Sequence, residues 1–139
     1  IMDIIKKRLI SHLSDEAVCV ILSNEGKLSV LSGRGIEPLL CIYQKTPQIL
    51  LNASVADKVI GRAAAAILVM GKIDYLYAKV ISLGAVEIFK KNNINFEYDK
   101  ITDYIKNRDR TGICPMEKLA EKYSQPYEIY MALCNLKIM

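Results

Sequence analysis

The stretch GICPME places a thiol where a reactive thiol would be expected, at the start of a predicted helix. Pro115 is favoured at the first helical position and Glu117 at the third, so Cys114 precedes the helix. Helix N–H groups lower the pKa of a thiol there, and Arg108 and Arg110 lie nearby in sequence. Cys114 is therefore the candidate nucleophile. The same residues also describe an ordinary helix start with a half-buried thiol, which is the interpretation we favour.

A second group of charged side chains lies in the stretch ADKVIGR. We predict a helix over residues 55–71, with Asp57 near its start. The macrodipole there favours the carboxylate, which suits a helix cap better than a general acid. Lys58 and Arg62 lie four residues apart and share one face of the predicted helix. The three side chains could border a ligand site, or they could be ordinary surface charges.

Two further candidates have weaker patterns. Arg34 stands between Gly33 and Gly35, in a loop that could wrap an anion but lacks the spacing of a phosphate-binding motif. A tight connection between a strand and a helix is the alternative. Ser82 begins another predicted helix, and it has no histidine partner in sequence that would make it a nucleophile.

Composition limits the class of protein. The 139 residues suit one domain, and 52% are hydrophobic. The net charge of +4 is mild, and the short basic runs lack interleaved aromatic residues, which argues against nucleic acid as a partner. The longest apolar run, residues 63–70, is too short to span a membrane. The four cysteines have neither paired zinc-ligand spacing nor a redox dithiol motif, so we predict a cytoplasmic protein with reduced thiols.

The elements that must position these side chains alternate between helices and strands. The order predicts a single domain of the α/β class, a three-layer α/β/α sandwich with a mixed sheet. Residues 47–54 are predicted to be a loop or a short strand. The predicted strands are 16–23, 27–32, 73–82 and 94–101. The predicted helices are 2–13, one that begins at Pro38, 55–71, 83–93, 115–123 and a last one to about residue 137.

Four stretches spread over the chain carry a family resemblance: SGRGIEPL, ADKVIGRAAAAILV, YAKVIS and GICPME. With them the chain resembles a small uncharacterised prokaryotic family, a domain of unknown function placed in the cytidine deaminase-like superfamily. The resemblance implies a fold in which a helix precedes a β-hairpin. It also implies that the next two helices carry the superfamily's metal site at their N-termini.

The sequence departs from active deaminases at that metal site. Those enzymes hold zinc with a His or Cys on one helix and two Cys on the next, and a nearby Glu moves protons. The matching stretches here are SVADKV and ISLGAV, which contain no His or Cys, and the single histidine, His12, lies in the first helix. We therefore predict no zinc, no other cofactor and no zinc-dependent deamination.

These observations favour a non-catalytic module that binds a small molecule or nucleotide at a vestigial active site. Two alternatives stay open, and with them the question of whether the protein is an enzyme. The first is a thiol-dependent enzyme in which Cys114 reacts while Arg34 or Arg62 holds an anionic substrate. The second is a structural homo-oligomer, such as a homodimer. We expect the pocket to be bordered by Asp57, Lys58, Arg62, Ser82 and Cys114.

Overall fold

The computed structural model describes residues 2–33, 35–107 and 109–136. Its strands are β1 (Cys19–Leu22), β2 (Leu28–Leu31), β3 (Ser54–Ile60), β4 (Tyr75–Ser82) and β5 (Asn95–Thr102). Its helices are α1 (Met2–Ser11), α2 (Glu37–Lys45), α3 (Arg62–Met70), α4 (Leu83–Lys91), α5 (Pro115–Glu121) and α6 (Pro126–Asn135). A short 3-10 helix, Pro47–Ile49, follows α2.

The five strands form one mixed sheet in the order β2-β1-β3-β4-β5. Strand β1 is antiparallel to both of its neighbours, whereas β3, β4 and β5 are parallel. Parallel neighbours need crossover connections, and α3 and α4 provide them. The carboxyl ends of β3 and β4 therefore lie side by side, and each is followed at once by a helix.

Helices cover the two faces of the sheet unequally. On one face, α2 to α6 pack over the main hydrophobic core, which includes Leu40, Ile67, Phe89 and Leu133. On the other face, a smaller cluster joins α1 to the sheet through Leu9, Val20, Ala56, Tyr75 and Tyr77. The predicted α/β architecture with a mixed sheet flanked by helices is confirmed.

The helix predicted over residues 55–71 is wrong in its first half. Residues 54–60 form β3, and the helix begins only at Arg62. Gly61 has extended backbone geometry, with φ −103° and ψ −179°, and separates the two elements. Three of the seven residues of β3 are β-branched, which favours a strand. Asp57 therefore lies within a strand, and its predicted role as a helix cap is wrong.

The rest of the element order agrees with the sequence patterns, apart from one segment. Residues 47–54, predicted to be a loop or a short strand, include the 3-10 helix and the first residue of β3. Within the described residues, every helix is too short or too polar to cross a membrane.

Candidate functional site

Two helix starts meet at the carboxyl ends of β3 and β4. Helix α3 begins at Arg62 after Gly61, which has no side chain to cap it. Helix α4 begins after Ser82, whose Oγ accepts a hydrogen bond of 3.1 Å from the backbone N–H of Ala85. The two starts are in close contact, because a Cβ on Gly84 would lie 3.1 Å from Cβ of Arg62. Helix starts carry unpaired N–H groups, so this junction favours an acceptor or a negative charge.

Glu117 of α5 supplies that charge. Its side chain is buried, at 5% exposure, and Oε1 accepts a hydrogen bond of 2.9 Å from the backbone N–H of Arg62. Burial raises the pKa of Glu117, while the N–H of Arg62 and the hydroxyl of Ser82 act in the opposite direction. The carboxylate thus caps α3 from a helix 55 residues further along the chain.

The side chain of Arg62 stabilises the same junction through hydrogen bonds. Arg62 is 6% exposed, and its guanidinium donates four hydrogen bonds. Three acceptors are the backbone carbonyls of Gly84, Ala120 and Tyr123, and the fourth is the carboxylate of Glu87 at 2.9 Å. Arginine carries five N–H donors, so little of this side chain is left for a ligand. Arg62 serves here to join α3, α4 and α5.

A cavity of about 380 Å³ opens beside this junction. Among the lining residues that the structure describes, four are acidic and one, Arg62, is cationic and already engaged by the protein itself. Tyr104 and Asp103 are exposed at its mouth. Its lining consists of Arg62, Leu83, Gly84, Glu87, Asp103, Tyr104, Glu117 and Glu121.

The predicted site residues divide between this junction and other places. Arg62 lines the cavity, and Ser82 is buried next to it as the residue that precedes α4. Lys58 forms an ion pair with the exposed Asp15, with Nζ and Oδ1 3.0 Å apart. Arg34 lies outside the described residues.

Cys114 precedes α5 as predicted but is not among the residues that line the cavity. It is half-buried, and its side chain does not cap the helix. Its backbone N–H donates to the carbonyl of Ile105. Glu117, three residues later, is the residue of this stretch that reaches the junction.

Asp57 lies next to a buried thiol rather than in the cavity. It pairs across the sheet with Cys19, and its Oδ1 accepts a hydrogen bond of 3.0 Å from the N–H of Val59. Burial raises the pKa of Asp57 to about 7. Burial and the neighbouring carboxylate also raise the pKa of Cys19, whose predicted place in the core is confirmed.

Sequence reasoning missed the acidic side chains of the cavity. Glu117 was assigned to the start of its own helix, whereas it caps another one. The available signal was Gly61, because a helix start without a capping side chain needs an acceptor from elsewhere. Glu87, Asp103 and Glu121 come from three separate segments, and no sequence spacing links them.

No group of three or more His, Cys, Asp or Glu side chains within the described ranges is arranged to hold a metal ion. The acidic side chains of the cavity therefore do not converge on one point, as the ligands of a preformed metal site must.

Comparison with known proteins agrees with the family-level resemblance. The family model described as "Domain of unknown function (DUF1893)" matches residues 8–136. The crystal structure of a DUF1893 family protein (TM1506) from Thermotoga maritima superposes with a TM-score of 0.80 at 26% sequence identity. That match covers 96% of this chain and 87% of the other. A search of curated proteins found no significant match. The chain belongs to the DUF1893 family.

Proposed function

We propose that the protein is a non-catalytic binding module of the cytidine deaminase-like type, which takes a small nitrogen-rich molecule into the acidic cavity. The observation that supports this most is Glu117, a buried carboxylate at the junction of two helix starts that also lines a 380 Å³ cavity. Ligands of open α/β sheets commonly bind at the carboxyl ends of parallel strands, which is where this cavity lies.

The deaminase-like part of the proposal rests on connectivity. A helix precedes the hairpin of β1 and β2, and α3 and α4 start side by side, as the resemblance implies for the two metal-binding helices. The start of α3 reads IGRAAA and that of α4 reads ISLGAV, and neither stretch contains His or Cys. The Glu117 carboxylate then takes the place between the two helix starts where the resemblance puts the metal, and it compensates the positive end of α3.

The charge of the lining narrows the ligand class. Carboxylates accept hydrogen bonds from amines and from ring or amino N–H groups, which nucleobases and nucleosides offer. Glu87 already neutralises Arg62, so a phosphate group would meet acidic side chains and no free cation among the described lining residues. The exposed ring of Tyr104 offers a stacking surface for a base. A nucleoside or another N–H-rich base suits this cavity better than a nucleotide.

A thermal-shift comparison of nucleobases and nucleosides with the matching nucleotides tests the proposal. We expect stabilisation by at least one nucleobase or nucleoside, about 2.7 kcal/mol when the ligand is at 100 times its Kd, and less by its nucleotide. Tyr104→Ala and Asp103→Asn should weaken the effect. Tyr98→Ala, which removes another exposed tyrosine outside the cavity, is the matched control. Absence of any shift, or an equal shift in Tyr104→Ala, would contradict the proposal.

Thiol catalysis at Cys114 and a structural homo-oligomer remain alternatives. The first requires a depressed thiol pKa, so alkylation rates measured against pH decide it. A pKa near the ordinary value of about 8.5 would exclude it. For the second, sedimentation at several protein concentrations distinguishes a stable homodimer from a monomer.

A further inference from the structure

A second cavity lies at the opposite end of the sheet, at the amino ends of the three parallel strands. Its volume is about 550 Å³. Its floor is a row of cross-strand partners, one from each of β1, β3, β4 and β5: Leu22, Ser54, Tyr75 and Asn95. Register partners point to the same face of a sheet, so the row faces the side that α1 covers. Ile5 of α1 forms one wall.

The rim is built from turns with fixed backbone geometry. Asn24 and Gly26 belong to the turn between β1 and β2, and the N–H of Gly26 bonds to the carbonyl of Ser23. Asn52 lies two residues before the parallel strand β3, and Asp74 immediately precedes β4. Asn52 has a left-handed φ of 56°, which asparagine tolerates, and the N–H of Asp74 bonds to Ala53. The polar groups of the rim are thus held by the sheet's own connections.

The lining is polar but almost uncharged. Within the described part of the chain the lining contains no Lys, Arg or His, and Asp74 is its single carboxylate. The side-chain amides of Asn24, Asn52 and Asn95 make no hydrogen bond to any other residue that the structure describes. Each amide can donate and accept, and so can the hydroxyls of Ser23 and Ser54. An anion would find no cation here, whereas a ligand that both donates and accepts would find several partners.

We propose that this second cavity binds a neutral saccharide or polyol. Each hydroxyl of such a ligand is both donor and acceptor, which matches amides and hydroxyls arranged around one opening. The half-buried side chains of Ile5 and Leu22 offer apolar surface for the C–H face of a sugar ring. The volume falls within the usual range for small-ligand sites. The site is independent of the acidic cavity and does not rest on the function proposed for it.

Amide chemical shifts in a two-dimensional ¹H–¹⁵N spectrum test the proposal directly. The intact protein is titrated with neutral mono- and disaccharides, and separately with glycerol, inorganic phosphate and spermidine. We expect saturable shifts with at least one sugar, centred on Asn24, Ser54 and Asn95 and absent from residues 83–87. No shift of these amides with any sugar or polyol, or a stronger response to phosphate or spermidine, would overturn the proposal.

Variants separate binding from folding. Asn95→Ala and Asn24→Ala remove exposed amides of the cavity, and each should weaken sugar binding about tenfold, the equivalent of one lost hydrogen bond. Tyr104→Ala, at the acidic cavity, is the matched control and should leave the sugar affinity unchanged. The well-dispersed spectrum of each free variant establishes that it is folded. Unchanged affinity in both asparagine variants would contradict the assignment.

Discussion

Tyr75 and Tyr77 place the same side chain in two different polar environments. They lie two residues apart on one strand and face, and each is 2% exposed. The hydroxyl of Tyr77 donates to Oδ2 of Asp99 at 2.5 Å. The hydroxyl of Tyr75 has no hydrogen-bond partner in the part of the chain that the structure describes. Burial and nearby Glu97, which is not in hydrogen-bonding geometry, raise its pKa to about 12.

Removing each hydroxyl should therefore change stability in opposite directions. Tyr75→Phe removes a buried, unpartnered polar group and should raise the free energy of unfolding by about 1 kcal/mol. Tyr77→Phe loses a hydrogen bond and should lower it by about 1 kcal/mol. Urea unfolding of the two variants and the parent protein provides the measurement, and each variant is the control for the other. Equal changes of the same sign would contradict the assigned partners.

Asp57 links stability to pH. Because its folded-state pKa of about 7 exceeds that of the unfolded chain, the folded protein holds a proton that the unfolded chain has lost. The stability of the folded state therefore falls as pH rises from about 4 to about 7, by at most about 1.4 kcal/mol per pH unit. Asp57→Asn should flatten this decline and stabilise the protein above about pH 7. Unfolding free energies across that range provide the test.

Asp15→Asn is the contrasting control for Asp57→Asn. Lys58 lowers the pKa of the exposed Asp15, so its contribution is present above the unfolded pKa and is lost as pH falls through the lower folded pKa. Its removal should therefore lower stability by a constant amount above the unfolded pKa and change the slope of the profile only on the acidic limb. If Asp57→Asn leaves the profile between about pH 4 and about pH 7 unchanged, the raised pKa assigned to Asp57 is wrong.

At the scale of elements, Gly61 forms the transition from β3 to α3. A Cβ at this position would come within 2.7 Å of Cδ of Glu117 and 3.1 Å of Cγ1 of Ile105. Glycine therefore allows the buried carboxylate to approach the first N–H of α3. The junction is an element boundary and a part of the candidate site at once.

Gly61→Ala should displace Glu117 and lower the free energy of unfolding by about 2 kcal/mol, a typical cost of overpacking. Gly112→Ala is the control, because the nearest described neighbour of a Cβ there, Nδ2 of Asn107, is 3.8 Å away. In a double-mutant cycle, Gly61→Ala should cost much less when Glu117 is already alanine. Additive effects of the two substitutions would contradict the proposed contact.

The same boundary explains where sequence reasoning failed. The four alanines and the apolar run after Gly61 predict α3 correctly, but the prediction of a helix through ADKVI is wrong. The adjacent charges of Asp57 and Lys58 suit a helix surface, whereas pairing with β1 and β4 makes the stretch a strand. Tertiary pairing overrides local preference in such segments, and no pattern within the stretch itself reports the neighbouring strands.

At the scale of the whole molecule, the guanidinium of Arg62 holds together segments that are far apart in sequence. Arg62→Lys keeps the charge but cannot reproduce a fork that serves four acceptors. We expect a loss of about 3 kcal/mol in the free energy of unfolding, because buried carbonyls lose a charged donor. Arg8→Lys, an exchange at an exposed position of α1, should change stability by less than about 0.5 kcal/mol. Similar urea midpoints for the two variants would contradict the proposed role of Arg62 in joining these segments.

The fold was predictable from sequence to a greater extent than the candidate site. The periodicity of hydrophobic residues and the positions of Gly and Pro predict most elements. The alternation of strands and helices predicts the mixed sheet. The site depends on side chains such as Glu87, Asp103 and Glu117, which only the tertiary fold brings together. Conversely, Asp57 and Lys58 are close to Arg62 in sequence but belong to a strand, and they do not line the cavity.

The long reach of Arg62 also has a consequence for the order in which the chain folds. Its acceptors on Ala120 and Tyr123 come 58 and 61 residues later, and Glu117 comes 55 residues later. Contacts of such sequence separation form late, after the entropy of closing a long loop has been overcome. On the ribosome, α3 emerges well before residues 117–123. At that stage the Arg62 guanidinium lacks two of its carbonyl acceptors, and the N–H at the start of α3 lacks the Glu117 carboxylate. We therefore expect the sheet to reach its final stability only after residues 117–123 have been synthesised.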